Sequence, residues 1–492
     1  MSATTLNGSW QQRIAEYLET GFENNSAFGE TSIAENRPFI QATAAYNFLP
    51  NNFRAYTTGS GSTSVASQLF TTSTGTSIYS YAAIQSFRSL NYKAGEGGLA
   101  RFTARFENNV PNSWQGVGLL TIADELSFGY NGTTFGIWHR YNGLAEVRTI
   151  TVTGGAGGSE NLTLILNTVE YTIPLTAGTP EHNSREIVEW LEANQSVWGA
   201  DQLGDTVILN SLSDGAKDGT YSFTSATATG TIAQNTAGQT KTSDHIPQSS
   251  WNVNTFDDLD PSKGNVYQIK YQYLGFGNIF FYVENPNNGR FELCHQLLYA
   301  NLNTTPSISN PSMRLGMYCA SIGSTTNLNV YSASFAGFVQ GLEGKTRNPR
   351  SVLNTQSIAG TGSLTNILTI RNKKTYNGIT NQVEIEPLSI SVANEANKNI
   401  KVEIRANANA VGDTNYEAAG TNLVGDVDYS ATTITGGVLL AAFTVATLSS
   451  VTINLSDQRI RIPPGLTLSI SASKASGSAS DVTATLTYYE DL

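Results

Sequence analysis

The sequence is short of charge, histidine, methionine and cysteine, and each shortage removes a class of protein. Charged residues make up 14% of the chain and the formal net charge is −11, which argues against a general affinity for nucleic acid or for an anionic membrane surface. Two cysteines, Cys294 and Cys319, are too few for a disulfide scaffold or a cysteine zinc site. Both lie in apolar runs, FELCHQLLYA and MRLGMYCAS, so two buried thiols are expected, with a disulfide between neighbouring strands as the alternative. The longest apolar run, residues 436–448, is too short to span a bilayer and contains threonine. Residues 1–25 are polar with an amphipathic pattern, so neither an export leader nor membrane insertion is expected. The four histidines, His139, His182, His245 and His295, show no metal-ligand spacing and no neighbouring nucleophile turn. A phosphate loop, a dinucleotide fingerprint and a zinc-helix motif are also missing.

What is present points to an all-β protein. Glycine is high at 45 residues, aromatics reach 10%, and Ser, Thr and Asn are abundant. That mixture suits strands whose turns use Gly and Asn and whose solvent faces use Thr and Ser. The strongest stretch is 265–284, NVYQIKYQYLGFGNIFFYVE, which reads as a hairpin. Tyr267, Ile269, Tyr271 and Tyr273 fall on one face, Gln268, Lys270 and Gln272 on the other. Gly275 and Gly277 are placed to supply positive φ in a three-residue loop. Its apolar second strand needs an opposing sheet, so the tyrosines read as core packing rather than as a ligand platform.

Along the chain, five segments separate. Residues 1–80 read as a helix (Trp10, Ile14, Tyr17 and Leu18 at helical spacing, Ser9 as cap, Gly21 as stop) followed by an irregular anchoring arm. Residues 81–148 plus 245–340 read as the main sandwich, lectin-like or jelly-roll in type. Within it 125–141 forms a hairpin turning at Asn131-Gly132. Residues 149–244 read as an inserted ββαββ module, with a helix over 183–193 capped by Asn183 and Glu186. Residues 341–376 read as a basic linker (Lys345, Arg347, Arg350, Arg371, Lys373 and Lys374 against Glu343) that docks on acidic neighbours. Residues 377–492 read as a second, C-terminal β-sandwich.

Candidate chemistry is thin. Asp257, Asp258 and Asp260 share one loop, a set that suits calcium, although the spacing is not that of an EF-hand and a solvated turn explains it equally well. Asp124-Glu125 and Glu384-x-Glu386 are the nearest approach to a glycosidase carboxylate pair, and neither repeats the alternation such sites use. Trp114, Trp138, Tyr141 and Trp251 could stack on sugar rings, though core packing is the commoner fate of a strand tryptophan.

Three stretches carry a resemblance: FRSLNYKAGEGGLARFTARF, ELSFGYNGTTFGIWHRYNGLAEVRTITV and GNVYQIKYQYLGFGNIFFYVENPNNGRFELCHQLLYAN. Together with LTLILNTVEYTIPLTAGTP and the closing TATLTYYEDL, they resemble structural proteins of tailed bacteriophages, marine and cyanobacterial ones especially, and of some large DNA viruses. The resemblance implies a virion component assembled in the host cytoplasm, most often a homotrimer. Its N-terminal helix and arm would meet other virion proteins, and its tail-fibre or spike role would be attachment to a host-surface glycan or protein receptor. Capsid decoration, a head fibre and a neck-associated assembly protein are the alternatives within that class. It brings no catalytic residues. A depolymerising tailspike enzyme and a cellular surface lectin are the rivals from other classes.

Overall fold

The computed structural model describes residues 38–45, 52–340, 348–395, 397–458 and 460–490. The expected N-terminal helix, and Lys345 and Arg347 of the basic segment, lie outside them. The chain divides into two compact units, residues 1–143 with 241–344, and residues 144–240 with 345–492. Almost all regular structure is antiparallel strand, and the fold is all-β with one α-helix among the described residues.

The first unit is a two-sheet sandwich. One sheet has seven strands in the order Thr242–Pro247, Thr134–Tyr141, Glu125–Asn131, Ser113–Leu120, Arg314–Ser321, Tyr81–Ser89 and Phe53–Thr58. The other has nine and is built on Gly97–Glu107. On one side that strand pairs with Asn265–Tyr271, followed by Ile279–Glu284 and Phe291–Leu297; on the other it pairs with Asn329–Ser332 and Ser334–Gln340. Period-two alternation sends Phe102, Ala104, Phe106, Tyr267, Ile269, Tyr271 and Phe281 into one apolar core with Val117, Leu119, Leu126, Phe128 and Ile137 of the seven-stranded sheet. Tyr267 and Tyr271 are buried, as core packing requires. Cys294 and Cys319 are both free and buried in the same core, so the disulfide alternative is excluded.

Four differences from the sequence reading have physical reasons. Residues 38–73 are not an irregular arm. Pro38–Thr43 pairs with Ser334–Gln340, Phe53–Thr58 with Tyr81–Ser89, and Leu69–Ser73 with Asn329–Ser332 and Ser62–Ala66. Each of these strands is short and carries at most two buried side chains, too few to mark a hydrophobic period, yet Phe53 and Phe70 reach the core and stack at 6.1 Å. The loop of the 265–284 hairpin runs over residues 272–278, longer than expected. There Gly275 has φ +83°, while Gly277 is needed for space, since a Cβ would sit 1.9 Å from the Gln272 carbonyl oxygen.

In the second unit the segment read as a linker supplies two strands, Arg350–Ile358 and Thr365–Asn372, to the C-terminal sandwich. Its basic residues masked the buried run Ile367, Leu368 and Ile370. That sandwich packs a four-stranded sheet (Arg350–Ile358, Ser480–Glu490, Ile385–Asn394, Ser449–Asn454) and a six-stranded one (Tyr416–Ala418, Gly425–Asp428, Thr365–Asn372, Thr467–Ser473, Ile400–Val411, Thr433–Val445) around a shared aliphatic core.

The segment 144–240 forms a four-stranded sheet (Trp198–Leu203, Thr206–Asp214, Ala145–Gly154, Thr229–Thr236) and a three-stranded one (Val169–Leu175, Glu160–Leu166, Ser222–Thr224), with the helix Pro180–Asn194 contributing Ile187 and Leu191 to their core. The helix starts earlier than its sequence pattern indicated. Thr179 is the N-cap and Pro180 takes the first turn, where its missing N–H costs nothing. Asn183 is instead a buried bracket, accepting from Ala156 N and donating to the Thr176 carbonyl and Glu186.

Candidate binding face

In the seven-stranded sheet the residues alternating with the core set face away from it. Register places Tyr318 beside Ala83 and Gly116, Ser127 beside Trp138, Trp138 beside His245, and Glu125 beside Arg140. Gly116 is what lets the large side chains lie flat, because a Cβ there would stand 2.5 Å from the Tyr318 ring and 3.0 Å from Glu125 Oε1.

The centre of this face is a buried polar knot. Arg140 Nη1 donates to Glu125 Oε2 at 3.0 Å, while Ser127 Oγ and Tyr318 Oη donate to Glu125 Oε1 at 2.6 and 2.9 Å. Arg140 Nε donates to Ser243 Oγ at 3.0 Å. The guanidinium lies 3.7 Å from the Trp138 ring centroid and 4.6 Å from that of Trp114, and the two indoles meet edge to face at 6.3 Å. Glu125 is 2% exposed and Arg140 7%, so the pair is largely removed from water and its partners are fixed. Burial pushes the Tyr318 hydroxyl well above its usual range, which keeps it a neutral donor.

Around the knot stand partly exposed rings. Trp114 and Tyr81 are half-buried neighbours across Ala320, and Tyr81 stacks on Tyr318 at 6.1 Å. Beyond Ala83 is Tyr56, with Arg54 4.9 Å from its ring. Flat rings on a rigid, hydrogen-bonded floor suit stacking against the apolar face of a ring-shaped polar ligand, and the half-buried Arg54 and Gln85 stand beside them as polar groups.

The residues singled out in the sequence distribute as follows. Trp114 and Trp138 come together on this face, whereas Trp251 is a core residue packed on Phe128 and Phe135. Tyr141 stacks on His139, whose ring bonds to the Ser307 carbonyl at 2.7 Å. The two carboxylates of Asp124-Glu125 do not face each other: Asp124 accepts from Ser309 N and Asn310 N at 2.7 and 3.0 Å, while Glu125 is held by Arg140. Glu386 is ion-paired with Arg461 at 2.8 Å.

In the Asp257, Asp258, Asp260 loop, Asp260 accepts from Ser262 N and Oγ and pairs with Lys263, and Asp257 accepts from Thr255 Oγ1. Among the described residues no group of three or more His, Cys, Asp or Glu side chains converges as a metal site would require. The Glu125–Arg140 knot escaped the sequence reading because Arg140 and Ser243 are far apart in the chain. Its one legible signal was Glu and Arg at matching positions of the 125–141 hairpin.

A second charge cluster lies within the second unit, between segment 144–240 and the C-terminal sandwich. Arg371 donates to the Gln202 carbonyl at 2.7 Å and to Asp426 Oδ2 at 3.0 Å, lies 3.8 Å from Asp201, and stacks on Tyr416 at 3.9 Å. Lys373 reaches Asp426 at 3.2 Å, and Lys374 reaches Glu192 at 3.0 Å and Asp201 at 3.5 Å. Three of the basic residues noted in the sequence therefore neutralise the buried Asp201 and Asp426.

No family model matches this chain, and no curated protein resembles it. Solved structures give only faint likenesses. VIP36 exoplasmic/lumenal domain, in a Ca2+/Man3GlcNAc-bound form, matches at 9% identity over 64% of this chain and 93% of that one, with a TM-score of 0.27. Lectin I-B4 from Griffonia simplicifolia matches at 10% identity over 62% and 100%, with a TM-score of 0.24. A Sulfolobus turreted icosahedral virus chain matches at 8% identity over 93% and 97%, with a TM-score of 0.16. Likeness at this level carries no weight for function. Among the described residues no helix is long and apolar enough to cross a membrane.

Proposed function

We propose that this chain is a structural component of a virus particle that binds a host-surface glycan through the outer face of its seven-stranded sheet, without cleaving it. The observation that carries the binding role is the pair of half-buried rings, Trp114 and Tyr81, mounted beside the Glu125–Arg140–Tyr318 knot. A carboxylate already accepting three hydrogen bonds is a poor general acid or nucleophile, which favours binding over hydrolysis. Weak single contacts would be multiplied by copy number on the particle.

A glycan array probed with the purified chain, followed by size analysis of any polysaccharide it binds, tests both halves. Binding with the polymer length unchanged is expected; release of oligosaccharides would instead mark a depolymerising enzyme. Within the virion class, a tail-fibre or spike position is our reading, with capsid decoration or a neck position as the second. Imaging the particle for location and copy number separates them.

A further inference from the structure

The outer face of the seven-stranded sheet changes electrical character along its strand order. Its last four strands, Ser113–Leu120, Arg314–Ser321, Tyr81–Ser89 and Phe53–Thr58, contain no Asp or Glu. Residues 38–95 contain none either, in a chain that holds 39 and has a net charge of −11. Glu125, on the next strand, is already neutralised by Arg140. Arg54 stands at the far edge of this acid-free region, on the terminal strand. Its Nη2 donates to Gln85 Oε1 at 3.2 Å, and its guanidinium carbon lies 4.9 Å from the Tyr56 ring centroid and 5.8 Å from that of Phe87. These contacts orient the guanidinium, yet its Nε is buried without an acceptor, and no carboxylate among the described residues pairs with it. A guanidinium offers five donors and no acceptor, so the partner that matches it best is an anion.

We propose, resting on the glycan-binding reading of this face, that the glycan is anionic: an extended chain whose carboxylate or sulfate group is taken by Arg54. The rings set its path. Trp114 and Tyr81 lie in one register row with Ala320 between them, so about 10 Å separates their backbones. Tyr56 is one strand further and two residues along, about 8 Å beyond Tyr81, and Arg54 borders its ring. Beneath them Ala83, Leu120 and Tyr318 form a buried floor. The path runs from a neutral end at Trp114 to a cationic end at Arg54, too long for a single sugar. A neutral glycan would be held by the rings and would leave Arg54 without a counter-charge. An anionic one meets a planar fork that Gln85 and two rings already orient, and no carboxylate on these four strands repels it.

Two matched pairs of polymers test this with the full chain: polygalacturonate with its carboxyl-reduced form, and dextran sulfate with dextran. In titration calorimetry at one fixed salt concentration, the wild type should bind an anionic member about ten-fold or more tighter than its neutral counterpart. The pair that shows the preference tells whether carboxylate or sulfate is the group read. Arg54→Gln should bring the two members of that pair to parity. Arg54→Lys should keep only part of the preference, because an ammonium is a point charge without the planar fork. Trp114→Ala should weaken both members and leave their ratio intact, because it removes stacking and no charge. No preference for either anionic member, or a preference that survives Arg54→Gln, overturns the proposal. If glycans found on the array still require Trp114 in that event, the reading of the sheet face stands without it.

Discussion

His295 sits in the first unit with its ring mostly out of water, and its Nδ1 accepts from Asn252 N at 3.2 Å. Accepting requires that nitrogen to be unprotonated. Burial lowers the ring to about 4, from an ordinary value of 6.5. A group whose folded value is depressed binds its proton more readily when unfolded. Its neutral form therefore stabilises the fold above the unfolded value, and that stability is lost as pH falls through the window from 6.5 towards 4. After allowance for solvent screening the loss is of the order of 1–2 kcal/mol. Denaturant unfolding of the wild type should show this slope between those pH values, and His295→Gln should flatten it. An unchanged slope in the variant would assign the pH dependence elsewhere.

At the scale of elements, strands with one buried face and a recognisable turn were legible in the sequence, and the short strands between 38 and 73 were not. The 125–141 hairpin forms where Asn131-Gly132 indicated, but Gly132, with φ +60°, is the first of the two loop residues rather than the second. A Cβ at Gly132 would meet nothing closer than 3.7 Å, so Gly132→Ala isolates the backbone term and should cost about 1 kcal/mol by thermal unfolding. A loss within error of zero would mean the turn relaxes to another type. The hairpin Glu160–Leu166 and Val169–Leu175 turns on Asn167 and Thr168, both at positive φ, without any glycine to announce it. The outlying strands between 38 and 73 were missed for another reason. Each buries at most two side chains over five or six residues, so no hydrophobic period is long enough to record them. The outward rings were named individually as tryptophans, but nothing local in the sequence joined Glu125 to Tyr318 or Arg140 to Ser243, since those pairings are made by strand order.

At the scale of the whole molecule, the basic run read from the sequence proved to be a clasp. Arg371, 7% exposed, sits between Asp201 of segment 144–240 and Asp426 of the C-terminal sandwich. Truncating it would leave the two buried carboxylates to the half-buried Lys373 and Lys374 alone, a loss of about 3 kcal/mol, the lower end for breaking a buried pair. Arg371→Met should therefore separate the unfolding of these two parts of the second unit, seen by hydrogen exchange as two protection levels where the wild type shows one. A single level in the variant would mean that other contacts couple them.

The outer sheet face makes the most direct demand of all. Titration calorimetry with a glycan captured on the array should give measurable binding to the wild type. Binding should fall by about ten-fold or more in Trp114→Ala, as expected for removing a stacking ring worth upwards of about 1.4 kcal/mol. Undiminished affinity in a correctly folded Trp114→Ala would contradict the account, because the ligand would then not be held on this face.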